Sequence, residues 1–186
     1  MDSHKFLQTH WAPVPPASLS PSKRQWLLRP GALTAGLRQQ GNMQLRVMKE
    51  WAWGLSEAEA WMLQMPAGTP IWIREVLMSV DGIDSVYARS FTPLQASHSW
   101  WQGMRYLRSR PLADMLYHNP QISRSRFMVH KLDRYEPLFH SLCKAGLADA
   151  YETDRPWARC SVFRRSGQPL LVAECFMPEF WRLLQR

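Results

Sequence analysis

The chain has 186 residues, a formal charge of +8, 46% hydrophobic residues and ten Trp. That length and apolar content suit one domain with a sizeable core and exclude a disordered chain. Cys143, Cys160 and Cys175 are odd in number and lack CxxC spacing, and the six histidines are scattered, so neither a disulfide framework nor a metal site is expected.

Residues 1–21 are rich in Pro and Ser ("WAPVPPASLSPS") and read as an irregular lead-in to a domain over 22–186. "SPSKRQWLL" predicts a short helix capped by Ser20 or Ser22, and "ALTAGLRQQG" a second that Gly41 ends. Alternation over 44–53 predicts a strand, and Ser56-x-x-Glu59 is a capping box that opens a helix running to about Met65. Strands over 71–80 and 85–91 join across Asp81-Gly82, a hairpin signal. A helix is expected over 96–108, with Trp100, Trp101, Met104 and Leu107 on one side. Another starts near Pro111 and reaches about His118. "SRSRFMVHKL" predicts a strand, and "PLFHSLCKAGL" a helix with Gly146 near its end. Strands over 157–165 and 169–177 meet at Ser166-Gly167. Strands that cluster in hairpins argue for an α+β single domain with a largely antiparallel sheet and the helices segregated to one face or end.

No apolar run approaches a membrane span, and no h-region follows a basic N-terminus. A cytoplasmic chain without a stable membrane anchor is therefore expected, in keeping with unpaired cysteines. The basic charge permits nucleic acid or an anionic small molecule as partner. The arginines are spread along the chain and no nucleic-acid motif occurs, so no nucleic-acid partner is expected.

Three charges stand on apolar strand faces. Arg74 shares a face with Trp72, Val76, Met78 and Val80. Glu174 shares one with Leu170, Val172 and Phe176, and Arg89 with Tyr87 and Phe91. Removing an ion from water costs several kcal/mol, so each needs a partner. Arg74 and Glu174 pair with each other in the core, or the parity slips by one and both face water, or they line a polar pocket. In a pocket, the arginines would bind carboxylates as bidentate forks and the Glu would serve as a general acid. Such a pocket suits a small dianion with an apolar body. Cys175 lies beside Glu174 but points to the other face.

"WLLRPGALTAGLRQQG", "WIREVLM…YARSFTP", "RPLADMLY" and "WARCSVF…GQPLLVAECFMP", in this order over 26–178, resemble the chorismate pyruvate-lyase family. The resemblance implies a six-stranded antiparallel sheet with helices on one side and flaps over an internal ligand cavity. It implies conversion of chorismate to 4-hydroxybenzoate and pyruvate for bacterial ubiquinone biosynthesis, without metal or cofactor, by a chain expected to be a monomer. Carried over by position, Arg74 grips the ring carboxylate and Glu174 stands at the oxygen bearing the enolpyruvyl group. Leu33 and Leu112 match the flap positions, and Arg89 a second basic residue of the cavity. Leu33 stands where the family also uses Met, Cys160 where members often carry an Arg after Arg159, and 119–155 is longer than in short members. The fold also resembles the effector-binding domain of GntR-type regulators, a non-catalytic sensor. A winged-helix DNA reader would precede that sensor, and only about 20 residues precede the matching region here.

Overall fold

Asp81 and Gly82 both take positive φ, 50° and 79°, the twist that a two-residue hairpin requires. They join β2 (Pro70–Val80) to β3 (Ile83–Pro93) at the centre of the sheet. Ser166 and Gly167, at 48° and 78°, do the same for β6 (Trp157–Arg165) and β7 (Gln168–Phe176). The computed structural model describes residues 11–148, 151 and 155–185. Residues 1–10 of the expected lead-in, and 149–150 and 152–154 of the long segment, lie outside the described residues.

The sheet adds β1 (Met43–Gly54), β4 (Ile122–Arg124) and β5 (Met128–Lys131). Its order is β1-β2-β3-β7-β6-β4, with β5 also on β6, and every pairing is antiparallel. Seven strands are described where the resemblance implied six, because "SRSRFMVHKL" is broken in two. At the break the Ser125 hydroxyl accepts from the Val162 N–H at 2.9 Å, where a strand would present a backbone carbonyl. The lead-in is partly docked: Ala12 bridges to Val129, and Trp11 is buried with its indole N–H on Glu136 at 3.1 Å.

Helices cover both faces of the sheet, which corrects the expectation of one side. On one face Ile71, Ile73 and Leu77 pack under Leu63 of α3 (Glu57–Leu63) and under Leu138 and Leu142 of α5 (Pro137–Lys144). On the other, Val76, Met78 and Val86 meet α1 (Pro21–Leu28), α2 (Leu33–Arg38) and α6 (Pro178–Leu183) through Trp26, Leu37 and Phe180. Central strands that are apolar on both faces must be covered on both. Leu37 is fully buried, so truncating it to Ala would remove about 2–5 kcal/mol.

Local signals account for the helix ends. Ser20 caps α1, accepting from Lys23 N–H, and Ser56 caps α3, accepting from Glu59 N–H at 3.2 Å. Gly41 falls after α2 has already ended and does not cap it; a Cβ there would lie 2.2 Å from the Asp81 carboxylate, which would have to shift. The helix expected over 96–108 is two 3-10 turns, Ala96–His98 and Gln102–Tyr106. Ser97 and Ser99 donate to the carbonyls of Leu94 and Gln95, competing with a continuous helix. Trp101 and Met104 are fully buried there, whereas Trp100 is exposed. α4 (Ala113–Leu116) is shorter than expected.

Candidate active site

Strand register sets two rows of side chains on one face of the sheet. Glu50, Arg74, Ser90, Val172 and Ser161 are successive cross-strand partners. So are Val47, Val76, Ala88, Glu174 and Arg159. Paired residues project to the same side. Arg74 and Glu174 therefore share a face, two strands and two residues apart, roughly 12 Å between their backbones. They do not pair with each other, and neither faces bulk water.

Arg74 is 1% exposed. Its Nη1 donates to Glu50 Oε1 at 2.5 Å, and Nη2 to the carbonyls of Arg108 at 2.5 Å and Arg110 at 3.4 Å. Glu50 reaches this face through a β-bulge between Val47 and Lys49. Without the bulge Lys49 would stand opposite Arg74, so one inserted residue exchanges a repelling cation for a carboxylate. Arg108 has a φ of 51°, a left-handed conformation uncommon outside glycine. It sits in the turn that Arg110 N–H closes onto the Leu107 carbonyl at 2.8 Å, and this turn delivers its carbonyl to Arg74.

Glu174 has its own partner. Arg159 Nε donates to Glu174 Oε2 at 2.6 Å, and Arg159 Nη1 to the carbonyls of Trp26 and Arg29 at 3.1 and 3.0 Å. The end of α1 is thus tied to the site by a guanidinium that gives the Trp26 carbonyl a second donor beside the Arg29 N–H and reaches the Arg29 carbonyl past the helix end. Glu174 Oε1 has no hydrogen bond among the described residues.

A cavity of about 60 Å³ lies over these rows, lined by Arg74, Glu174, Leu33, Leu112, Tyr117 and Phe127 among others. Leu33 opens α2 and Leu112 precedes α4. The Tyr117 hydroxyl donates to the Gly31 carbonyl at 2.9 Å, linking the segment after α4 to the one before α2. Burial pushes the Tyr117 pKa up; Arg124 opposes this, Glu174 adds to it and Arg159 opposes it.

Arg89 does not reach this cavity, which corrects the expectation that it belongs there. It shares a face with Tyr87 and Phe91 as read, but that face is the other side of the sheet. Arg89 is paired in register with Glu75, one residue out of phase with Arg74. Its Nε donates to Glu59 Oε1 at 2.9 Å and its Nη1 to Glu75 Oε1 at 2.8 Å. Burial alone would lower its pKa, and the charges of Glu59 and Glu75 outweigh burial and raise it. The Glu75 carboxylate also accepts from the Tyr87 and Ser141 hydroxyls. This network floors a separate depression of about 630 Å³. Cys175 is buried on the same side, away from Glu174, and burial pushes its thiol up to about 12.

Strand alternation singled out Arg74 and Glu174, the resemblance added Leu33 and Leu112, and all four line one cavity, whereas Glu50, Arg159 and Tyr117 were missed. Arg159 was legible by the rule that found Arg74, since it is a charge alternating with Ser161 and Phe163 in a strand. Glu50 was not, because a bulge leaves no mark in the pattern.

The architecture is shared with domains of solved transcriptional regulators. The effector domain of PhnF from Mycobacterium smegmatis superposes with a TM-score of 0.55 at 14% identity, over 80% of this chain and 89% of that one. A GntR-family transcriptional regulator from Bacillus cereus gives 0.52 at 10% identity, over 74% of this chain and 92% of that one. At such identities the likeness is one of fold. The family model described as Chorismate lyase matches residues 8–185, and the chain belongs to that family. A protein of Bordetella avium (strain 197N) named "Probable chorismate pyruvate-lyase" is 56% identical over 176 residues, 95% of this chain and 87% of that protein. "Probable chorismate pyruvate-lyase 1" of Pseudomonas entomophila (strain L48) is 36% identical, over 94% of this chain and 92% of its own length.

Proposed function

We propose that this chain is a chorismate pyruvate-lyase, which eliminates pyruvate from chorismate to leave 4-hydroxybenzoate for ubiquinone biosynthesis, in the cavity between Arg74 and Glu174. The observation that carries this reading is the pair itself. A buried guanidinium and a carboxylate face one apolar cavity, each held in place by a partner of its own and not by the other.

Arg74 takes the ring carboxylate. Its Nη2 is already held by the carbonyls of Arg108 and Arg110, so a carboxylate that takes the fork displaces this turn. A cavity of about 60 Å³ is also smaller than the roughly 150 Å³ that holds a benzene ring. Residues 31–38 and 107–117 then work as flaps, with Leu33 and Leu112 on their inner sides and Tyr117 on Gly31 as the tie between them. Closed over the ligand, they exclude water and fix one reactive pose.

Aromatisation makes the reaction strongly downhill, so the protein has little to add beyond pose and charge. Glu174 Oε1 is the atom placed at the ether oxygen. In an intramolecular route the ring hydrogen passes to the methylene of the enolpyruvyl group, and the ether oxygen becomes the keto oxygen of pyruvate. As general acid, Glu174 would deliver to that oxygen a proton taken up with the substrate, and so stabilise the charge developing there. No step in this scheme calls for a metal or cofactor. The chain works in this reading as a cytoplasmic monomer, without nucleic acid or membrane as partner. No helix among the described residues is long and apolar enough to cross a membrane.

The test is to mix purified protein with chorismate and separate the products by chromatography. Formation of 4-hydroxybenzoate and pyruvate in equal amounts, above the uncatalysed background, is the expected outcome. Binding of chorismate without turnover would overturn the lyase reading and leave a ligand-binding protein.

A further inference from the structure

We propose that Arg124 is the anchor for the second carboxylate of the substrate, the one on the enolpyruvyl group, and so the residue that distinguishes substrate from product. The inference rests on the lyase reading above, in which the ligand is a dianion and Arg74 holds only one of its two charges.

Arg124 stands directly behind the cavity wall, next to two of its lining residues, Phe163 and Phe127. It pairs with Phe163 across β4 and β6, so its side chain leaves the sheet on the side of Phe163, which lines the cavity. Its guanidinium lies 4.0 Å from the ring centre of Phe127, another lining residue. Arg159 lies 4.2 Å from the same ring. Arg124, Glu174 and Arg159 all act on the acidity of Tyr117, which places Arg124 within electrostatic reach of the catalytic end of the cavity.

What separates Arg124 from its neighbours is that it is unspent. Arg74 holds Glu50 and two carbonyls, and Arg159 holds Glu174 and two carbonyls. Arg124 forms no ion pair among the described residues, and its Nη1 is buried without any hydrogen-bond partner. Buried charged donors are rarely left unmatched, because desolvation is then uncompensated. A planar fork that is stacked on a ring and short of an acceptor is prepared for a carboxylate. The lining itself offers one cation, Arg74, and Arg124 waits behind the Phe127 ring. A dianion bound by Arg74 alone would bring a second carboxylate into an apolar enclosure without a counter-charge.

The assignment gives the site a direction. Chorismate carries both carboxylates and engages both arginines. Once the C–O bond breaks, the carboxylate at Arg124 belongs to pyruvate and departs with it, while 4-hydroxybenzoate keeps only its contact with Arg74. Loss of Arg124 therefore weakens the substrate and spares the product, which a residue that merely supports the edge of the sheet would not do.

The experiment compares Arg124→Gln and Arg124→Lys with the unaltered protein. It reads KM and kcat for chorismate, and the Kd of chorismate and of 4-hydroxybenzoate by Trp fluorescence. The Gln variant is expected to raise the Kd and KM for chorismate by roughly ten- to a hundredfold, the worth of a hydrogen-bonded charge, with the Kd of 4-hydroxybenzoate unchanged within about twofold. The Lys variant, which keeps the charge but not the fork, should fall between, and it serves alone if the Gln variant does not fold. Equal weakening of both ligands, or of neither, overturns the proposal. An unaltered protein that binds chorismate without converting it overturns the lyase reading instead, and the two Kd values still decide the role of Arg124.

Discussion

Arg159 and Glu174 are cross-strand partners on β6 and β7, joined by a 2.6 Å hydrogen bond from Nε to Oε2. This pair, and not one between Arg74 and Glu174, is what lets a carboxylate stand on an apolar face. The Arg159 side chain is 1% exposed and that of Glu174 14%. Arg159→Met would strand Glu174 and free the carbonyls of Trp26 and Arg29. Removing one member of a buried pair costs roughly 3–5 kcal/mol, so chemical denaturation should show a loss of that order. Arg159→Met combined with Glu174→Leu should recover part of it, since no charge is then left unpaired. Strictly additive losses would mean that the contact contributes nothing of its own.

Arg74 predicts a different pattern. Its two ends serve Glu50 and the turn around Arg108, contacts that depend on a planar fork. An ammonium cannot reproduce them. Arg74→Lys should therefore depress kcat/KM for chorismate nearly as far as Arg74→Ala does. Near-normal kinetics in the Lys variant would show that charge alone suffices.

How far the site could be read from sequence follows from these residues. Period-two alternation placed Arg74 and Glu174 on apolar faces, and the hairpin turns at Asp81-Gly82 and Ser166-Gly167 fell where read, because both signals are local. The faces themselves could not be related to one another. Whether Arg89 joins Arg74 depends on register between β2 and β3, and a one-residue offset sends it to Glu75 on the far side. Glu50 depends on a bulge, and the second helical layer on the fact that both faces of β2 are buried. All three are long-range outcomes of pairing, which a single strand's pattern does not carry. The helix expected over 96–108 failed for a local reason that was present in the sequence, the hydroxyls of Ser97 and Ser99.

Tyr117 ties the two segments over the cavity together by one hydrogen bond to Gly31. Such a bond contributes about 0.5–1.5 kcal/mol. Tyr117→Phe keeps the ring against Phe163 and removes only the tie. Dissociation of 4-hydroxybenzoate, followed by stopped-flow fluorescence, should speed up by roughly two- to tenfold, with little change in melting temperature. An unchanged release rate would mean that the tie does not gate the cavity.

The three thiols should behave as two classes. Cys143 is exposed, while Cys160 and Cys175 are buried, and burial raises the pKa of both buried thiols. Titration with a disulfide reagent at pH 8 should find one fast thiol in the native protein and three after unfolding. In the folded chain burial pushes the Cys175 thiol up to about 12, from the 9.0 of an ordinary thiol. The unfolded chain releases the proton first, so this contribution to stability is complete below pH 9 and is lost as pH rises toward 12. Melting temperature should fall over that window, and less steeply in Cys175→Ala.

Glu174→Gln separates chemistry from architecture. The amide keeps the size of the side chain, and its carbonyl can still accept from Arg159 Nε, so the link across β6 and β7 survives in altered form. What it loses is the capacity to carry an acidic proton at the atom corresponding to Oε1. If that proton serves the departing oxygen, kcat for chorismate should drop by about two to four orders of magnitude, while the Kd of 4-hydroxybenzoate moves little and the protein remains folded. If Glu174 serves only to neutralise Arg159, the order reverses. The variant would then leave a buried guanidinium without its counter-ion, lose roughly 3–5 kcal/mol of stability, and turn over chorismate normally in the fraction still folded. Single-turnover rate and melting temperature measured on one preparation distinguish the two. A Gln variant that melts far lower yet keeps its single-turnover rate would return Glu174 to the framework and leave the intramolecular route to proceed without a proton donor.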